Sequence, residues 1–170
     1  VLEHVGVEYS VFAETEPNPT ETQAKAATEV YKASGCDGIV ALGGGSSMDL
    51  AKAIGLMATH EPPFDQYGAI VGGARKIGKI PPLVAIPTTA GTGSEVSIGA
   101  VITLESGRKE TIVSPNLIPA TAICDPDLTL GLPAGLTAAT GMDAVTHCIE
   151  SVLSPTVNPP AEGIAYEGVF

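Results

Sequence analysis

Positive charge is scarce in this chain of 170 residues: 8 Lys and Arg face 19 Asp and Glu, for a formal net charge of −11. The acids are scattered and no basic stripe interrupts them, so nucleic acid would be repelled and is excluded as a partner on electrostatic grounds. Cysteine is almost as sparse. Cys36, Cys124 and Cys148 lie far apart without C-x-x-C spacing and, being 3 in number, cannot all pair within one chain. A reducing cytoplasm is the compartment that suits them. No run of about 18 apolar residues is free of Gly, Pro and charge, so no membrane helix is expected, and the amino end lacks the basic head and apolar centre of a secretory signal. What is present is globular in composition, 44% hydrophobic and 16% charged, with length for one domain and part of another. The Val1 start, a helix-tail texture before Gly6 and a helix pattern from Pro159 that stops at Phe170 lead us to expect a fragment.

Hydrophobic periodicity predicts alternating strands and helices. Val7 to Phe12 alternates as a short strand, and Pro17-Asn18-Pro19 breaks it. Thr20 and Gln23 have capping-box spacing, after which Ala24, Ala27, Val30 and Tyr31 recur on one helix face until Gly35. Ile39 to Leu42 is a continuous apolar run flanked by glycines, which predicts a strand buried on both faces of a parallel sheet. Helix formers from Asp49 to Ala58 follow, then a Pro- and Gly-rich loop from Glu61 to Lys79 and a second buried strand at Leu83 to Ile86. Val96 to Thr103 and Glu110 to Val113 can pair around Ser106-Gly107, and Thr121 to Cys124 is one more short strand. Beyond Pro133 the pattern turns helical, at Leu136 to Ala139 and Met142 to Val152. These signals predict a doubly wound α/β domain over 1–132 and the start of a helical domain over 133–170.

Three stretches can carry chemistry. Gly43-Gly44-Gly45-Ser46-Ser47 joins a strand to a helix, where an open α/β sheet binds ligands and where unpaired helix N–H groups suit a phosphate. It is neither G-x-G-x-x-G nor a Walker loop, and a tight turn with serine caps is the alternative. Pro87-Thr88-Thr89-Ala90-Gly91-Thr92-Gly93-Ser94-Glu95 repeats the arrangement with added hydroxyls, which can hold pyrophosphate or sugar oxygens or be a structural polar loop. Asp143 and His147 are four apart in a helix and share a face, which suits half of a divalent metal site or a dipole partner and a surface histidine. Asp49 opens a helix; its charge opposes phosphate, so a functional role would place it toward the reacting end of a ligand. Lys109 is a cation that can meet a ligand oxygen, or a solvated hairpin lysine.

Taken together, Gly-Gly-Gly-Ser-Ser-Met-Asp at 43–49, Pro-Thr-Thr-Ala-Gly-Thr-Gly-Ser-Glu at 87–95 and Gly-Met-Asp-Ala-Val-Thr-His at 141–147 resemble the iron-containing alcohol dehydrogenases, as do Asn18 in Pro-Asn-Pro-Thr and the turn at Asp125-Pro-Asp127-Leu128. The resemblance implies a Rossmann-like nucleotide-binding domain followed by an all-helical domain. It implies that Gly44, Gly45 and Ser46 bind the pyrophosphate of NAD or NADP, and that Thr88, Thr89 and Thr92 contact its phosphate and adenosine side. Asn18, Ser97, Lys109 and Leu128 match further cofactor contacts, and Asp49 would lie at the catalytic centre. Asp143 and His147 match two metal ligands, for Fe2+ by preference or Zn2+. In the family two further histidines, downstream of Phe170, complete the site; His4 and His60 match neither, and His60 reads as solvent loop.

The activity implied is reversible oxidation of a primary alcohol to its aldehyde by hydride transfer, with a small alcohol or aldehyde as partner and a homodimer as the assembly. The rival readings are a zinc-dependent polyol dehydrogenase of the glycerol type and a non-catalytic nucleotide-binding fragment.

Overall fold

The computed structural model describes residues 2–169. In chain order its elements are α1 (Glu21–Ala33), β1 (Ile39–Gly43), α2 (Gly45–Thr59), β2 (Leu83–Pro87), β3 (Gly99–Thr103), β4 (Lys109–Val113), β5 (Thr121–Ala122), α3 (Ala134–Leu153) and α4 (Pro159–Val169), with short 3-10 turns between them. They fall into two compact units. One holds the chain up to Pro87 together with Ser94–Cys124, and the other holds Thr88–Gly93 together with the chain from Asp125 onward.

In the first unit the capping box expected at Thr20 is formed. The Gln23 N–H donates to Thr20 Oγ1 at 3.2 Å and the Thr20 N–H to Gln23 Oε1 at 3.1 Å, which satisfies two N–H groups that the chain entering a helix would otherwise leave without partners. α1 turns Ala24, Ala27 and Thr28 inward, with Tyr31 packed at the margin. Val30 is exposed, because the inward line steps from residue 27 to 28 and on to 31. β1, β2 and β5 make a parallel sheet in that order, and β3 and β4 form an antiparallel hairpin, with Gly107 of its turn at φ 81°.

α2 lies at the centre of the packing. Met48 and every residue from Leu50 to Leu56 are buried. On one side Met48 and Ala51 meet Ala41, Leu83 and Ala85 of the strands. On the other, Leu50, Ala53 and Leu56 join Ala24 and Ala27 of α1 and Ile102 and Ile112 of the hairpin. Full burial of each Leu, Ile or Met contributes about 1.5–3 kcal/mol. Gly55 permits close approach, since a Cβ there would stand 3.1 Å from Ile80 Cδ1.

The structure corrects several expectations. Val7 to Phe12 forms no strand; its Val7, Tyr9 and Val11 are exposed, and a strand needs a neighbour's ladder, which no described strand supplies. β1 is buried on one face only. Within this chain Ala41 packs under α2, while Val40 and Leu42 are 53% and 60% exposed. α2 begins at Gly45, so most of the glycine turn is the helix's own first turn. The strand expected at Thr121 to Cys124 is confined to Thr121–Ala122.

In the second unit the two helical stretches expected around Gly141 are one helix, α3, which packs against α4. Gly91 lies against α3: a Cβ there would stand 3.0 Å from the carbonyl carbon of Thr140, so a larger residue would collide with backbone.

Candidate functional site

β1 and β2 end side by side, with Gly43 in register with Pro87. The chain leaving β1 turns at Gly43, where φ is 148° and a Cβ would stand 2.9 Å from Ser47 Cβ, so only glycine suits the position. Gly44 is the N-cap of α2 and supplies no side-chain cap. Gly45 and Ser46 form the first turn. The helix start therefore faces outward with main-chain N–H groups and the positive end of its dipole, which favours an anion.

The chain leaving β2 runs into Thr88, Thr89 and Thr92, which belong to the second unit. Leu128 sits in that unit too, in a turn opened by Asp125, whose Oδ1 accepts the Asp127 N–H at 3.0 Å. Asn18 and Lys109 are brought together in the first unit: Lys109 Nζ donates to Asn18 Oδ1 at 2.8 Å. Ser97 Oγ accepts the Gly99 N–H at 2.9 Å.

Asp49 lies one turn into α2 with both carboxylate oxygens engaged. Oδ1 accepts from Ser94 Oγ at 2.6 Å and Oδ2 from the Val101 N–H at 2.9 Å. Beside it is a residue that sequence reasoning missed. Lys52 is 0% exposed, and its Nζ donates to the main-chain oxygens of Ser94 (2.8 Å), Ser97 (2.9 Å) and Gly99 (2.7 Å), with Ser94 Oγ at 3.2 Å. Burial pushes its ammonium below the usual lysine value, while Asp49 and Glu95 pull it back up. The available signal was a lone charge inside the apolar run Leu50–Leu56, three residues after an aspartate.

His60, expected in a solvent loop, is instead a bridge. Its Nε2 accepts the Gly78 N–H at 2.8 Å, which leaves the proton on Nδ1 to reach Leu56 O at 3.1 Å. The ring also stands edge-on to Tyr67, 5.6 Å between centroids.

In α3, Asp143 Oδ1 and His147 Nε2 are 3.8 Å apart on one face, with side chains 42% and 50% exposed. Two donors at about 2.0–2.2 Å from one ion stand roughly 3–3.5 Å apart, so a small side-chain rotation is enough for both to meet it. An oxygen and an imidazole nitrogen suit Fe2+ or Zn2+. They fit half of such a site; no group of three or more His, Cys, Asp or Glu able to hold a metal occurs among the described residues. No helix among the described residues is long and apolar enough to cross a membrane.

Parallel strands ending at a glycine turn that opens a buried helix define an α/β, Rossmann-like architecture. The family model of iron-containing alcohol dehydrogenases matches residues 1–126. The chain is 57% identical over 165 residues to the 4-hydroxybutyrate dehydrogenase of Cupriavidus necator, covering 96% of this chain and 43% of that protein. It superposes on a crystal structure of 1,3-propanediol oxidoreductase with a TM-score of 0.91 at 43% identity, covering 96% of this chain and 42% of that one. It also superposes on sulfoacetaldehyde reductase from Bifidobacterium kashiwanohense in complex with NAD+, with a TM-score of 0.82 at 36% identity, covering 92% of this chain and 42% of that one. The chain belongs to the iron-containing alcohol dehydrogenase family and spans less than half the length of these relatives.

Proposed function

We propose that these residues form the cofactor-binding part, and half of the metal site, of an NAD-linked alcohol dehydrogenase that interconverts a primary alcohol and its aldehyde by hydride transfer. The observation that carries this reading is the pairing of Gly43 with Pro87, which ends two parallel strands together at the glycine turn opening α2. Gly44, Gly45 and Ser46 bind the pyrophosphate through main-chain N–H groups. Lys109 and Asn18 offer a charge and an amide to the same cofactor, with Ser97 as a further contact; for Thr88, Thr89, Thr92 and Leu128 the support is the resemblance of their motifs to the family.

Asp143 and His147 would hold the metal, and a divalent ion bound there supplies Lewis acidity toward an alcohol oxygen. Iron is the metal favoured by the family, and metal analysis of the purified protein decides between it and zinc. The names of the relatives, a 4-hydroxybutyrate dehydrogenase and a 1,3-propanediol oxidoreductase, support a substrate with a second polar group at the far end of a short chain.

The test is a chimera in which this chain replaces the matching segment of the Cupriavidus necator 4-hydroxybutyrate dehydrogenase. NAD-dependent oxidation of 4-hydroxybutyrate or 1,3-propanediol in preference to ethanol is expected. A folded, metal-loaded chimera with no turnover of any of the three would sink the reading.

A further inference from the structure

The chain that leaves α2 at His60 comes back to it at Gly78 before entering β2, and residues 61–77 form a loop closed at its neck by one side chain. His60 Nε2 accepts the Gly78 N–H at 2.8 Å. The other ring nitrogen faces two oxygens of α2, Thr59 Oγ1 at 2.8 Å and Leu56 O at 3.1 Å. Thr59 Oγ1 gives its own hydrogen to Gly55 O at 2.9 Å, so toward the imidazole it can only accept. Both sides of the ring therefore require one tautomer, with the proton on Nδ1 and a lone pair on Nε2.

The body of the loop has fastenings of its own. Phe64, Tyr67 and Ile77 are buried in the core, the Ala69 N–H donates to Thr111 O at 2.8 Å, and Asn116 Nδ2 donates to Ile77 O at 2.8 Å. None of these depends on a group that titrates near neutrality, and the neck does. Histidine changes charge between about pH 5 and 8, and a second ring proton would set an Nε2–H against the Gly78 N–H, hydrogen to hydrogen. The bond to α2 has no such conflict, because Nδ1–H stays a donor and the carboxyl end of a helix favours a cation.

The charges around the ring leave this contrast in place. Residues 53–59 of α2 carry none, and Tyr67 meets the ring edge-on. Glu61, Asp65, Arg75 and Lys76 of the loop, and Lys79 just beyond it, enter no ion pair among the described residues.

We propose that His60 is a proton-sensitive clasp. When neutral it closes the neck of the 61–77 loop; when protonated it stays with α2 and releases Gly78, freeing the exposed pair Gly78 and Lys79 ahead of β2 while the body of the loop remains docked. The clasp is independent of the cofactor reading.

The test is an NMR titration of the 15N-labelled 170-residue chain from about pH 8 to about pH 5. It follows the ring nitrogens of His60, the coupling across the hydrogen bond between Gly78 N and His60 Nε2, and the protection of the Gly78 and Ala69 amides, corrected for intrinsic exchange at each pH. At the alkaline end the ring should show the Nδ1–H tautomer and the coupling. As the ring takes up its proton the coupling should vanish and Gly78 protection fall about tenfold, the worth of one hydrogen bond, with Ala69 unchanged. His60→Gln, whose amide does not titrate, should remove the pH dependence at Gly78; should that variant not fold, the wild-type titration decides alone. Gly78 protection that survives protonation of the ring would overturn the proposal, as would a neutral ring with its proton on Nε2 or a ring still neutral at the acid end. Loss of protection at Ala69 together with Gly78 would also overturn it, since the event would then be a general loosening in acid.

Discussion

Lys109 Nζ donates to Asn18 Oδ1 at 2.8 Å, joining residues 91 positions apart. Asn18 holds φ at 56°, the one positive value at a non-glycine position among the described residues, and the adjacent Pro19 carbonyl accepts the Thr103 N–H at 2.9 Å. The turn is thus docked on the hairpin from both sides. Asn18→Ala should cost about 1–2 kcal/mol, combining left-handed strain with a lost hydrogen bond. Asn18→Gly keeps the conformation and should cost less. Urea unfolding of the two variants separates the effects; equal losses would show that the conformation carries no strain.

Gly45 has a backbone that accepts a side chain, since it is absent from the positive-φ positions. Gly45→Val should therefore leave the fold intact while placing methyl groups where a phosphate must approach. A rise of about tenfold or more in the NADH dissociation constant is expected, or at least 1.4 kcal/mol. Circular dichroism checks the fold and calorimetry the affinity; unchanged affinity would move the phosphate elsewhere.

Asp143 and His147 are tested in the chimera. Asp143→Asn or His147→Ala should abolish turnover and metal content together, with NADH affinity retained. Metal measured by mass spectrometry at near-stoichiometric levels, alongside normal activity, would reduce the pair to a dipole partner and a surface histidine. The 170-residue chain alone supplies only these two protein ligands to the proposed site and should produce no NADH from primary alcohols.

Lys52 and Lys25 should move stability in opposite directions as pH rises. Burial holds Lys52 below the ordinary value of 10.5, so just under that pH the unfolded chain binds more protons than the folded one and stability rises with pH. Lys25 is raised above 10.5, chiefly by Glu105 at 2.8 Å and then by Glu21 at 2.9 Å. Its contribution is full below that value and is lost as pH climbs through the raised one. Unfolding free energy measured from pH 8 upward should lose its rising component in Lys52→Met; identical slopes in variant and wild type would show that folded Lys52 titrates like a solvated lysine.

Local features are legible in the sequence because the groups involved lie within a few residues of each other. Thr20 and Gln23 satisfy one another across a single turn, and the hairpin pivots on Gly107 as its spacing implies. Long-range features left weaker traces. A lysine in a helix ordinarily faces water, and the carbonyls that meet Lys52 lie 42 to 47 residues away with no side-chain identity to betray them. Nothing in the sequence marks the bond of His60, because its partner is the main-chain N–H of Gly78. The alternation at Val7 to Phe12 is a true strand pattern, but pattern alone does not supply a neighbouring strand. The glycine turn and the Asp143–His147 pair were visible because their geometry is set by one strand end and one helix face.

The way Lys52 is held has a bearing on how this segment can change over evolutionary time. Three of the oxygens around its ammonium are main-chain carbonyls, which every residue type provides, so substitutions at Ser97 need not disturb the lysine. The lysine itself has no such latitude. Partner positions that drift while one position stays fixed generate no correlated substitutions, so this contact would be invisible to inference from paired sequence changes and is found only by locating the atoms.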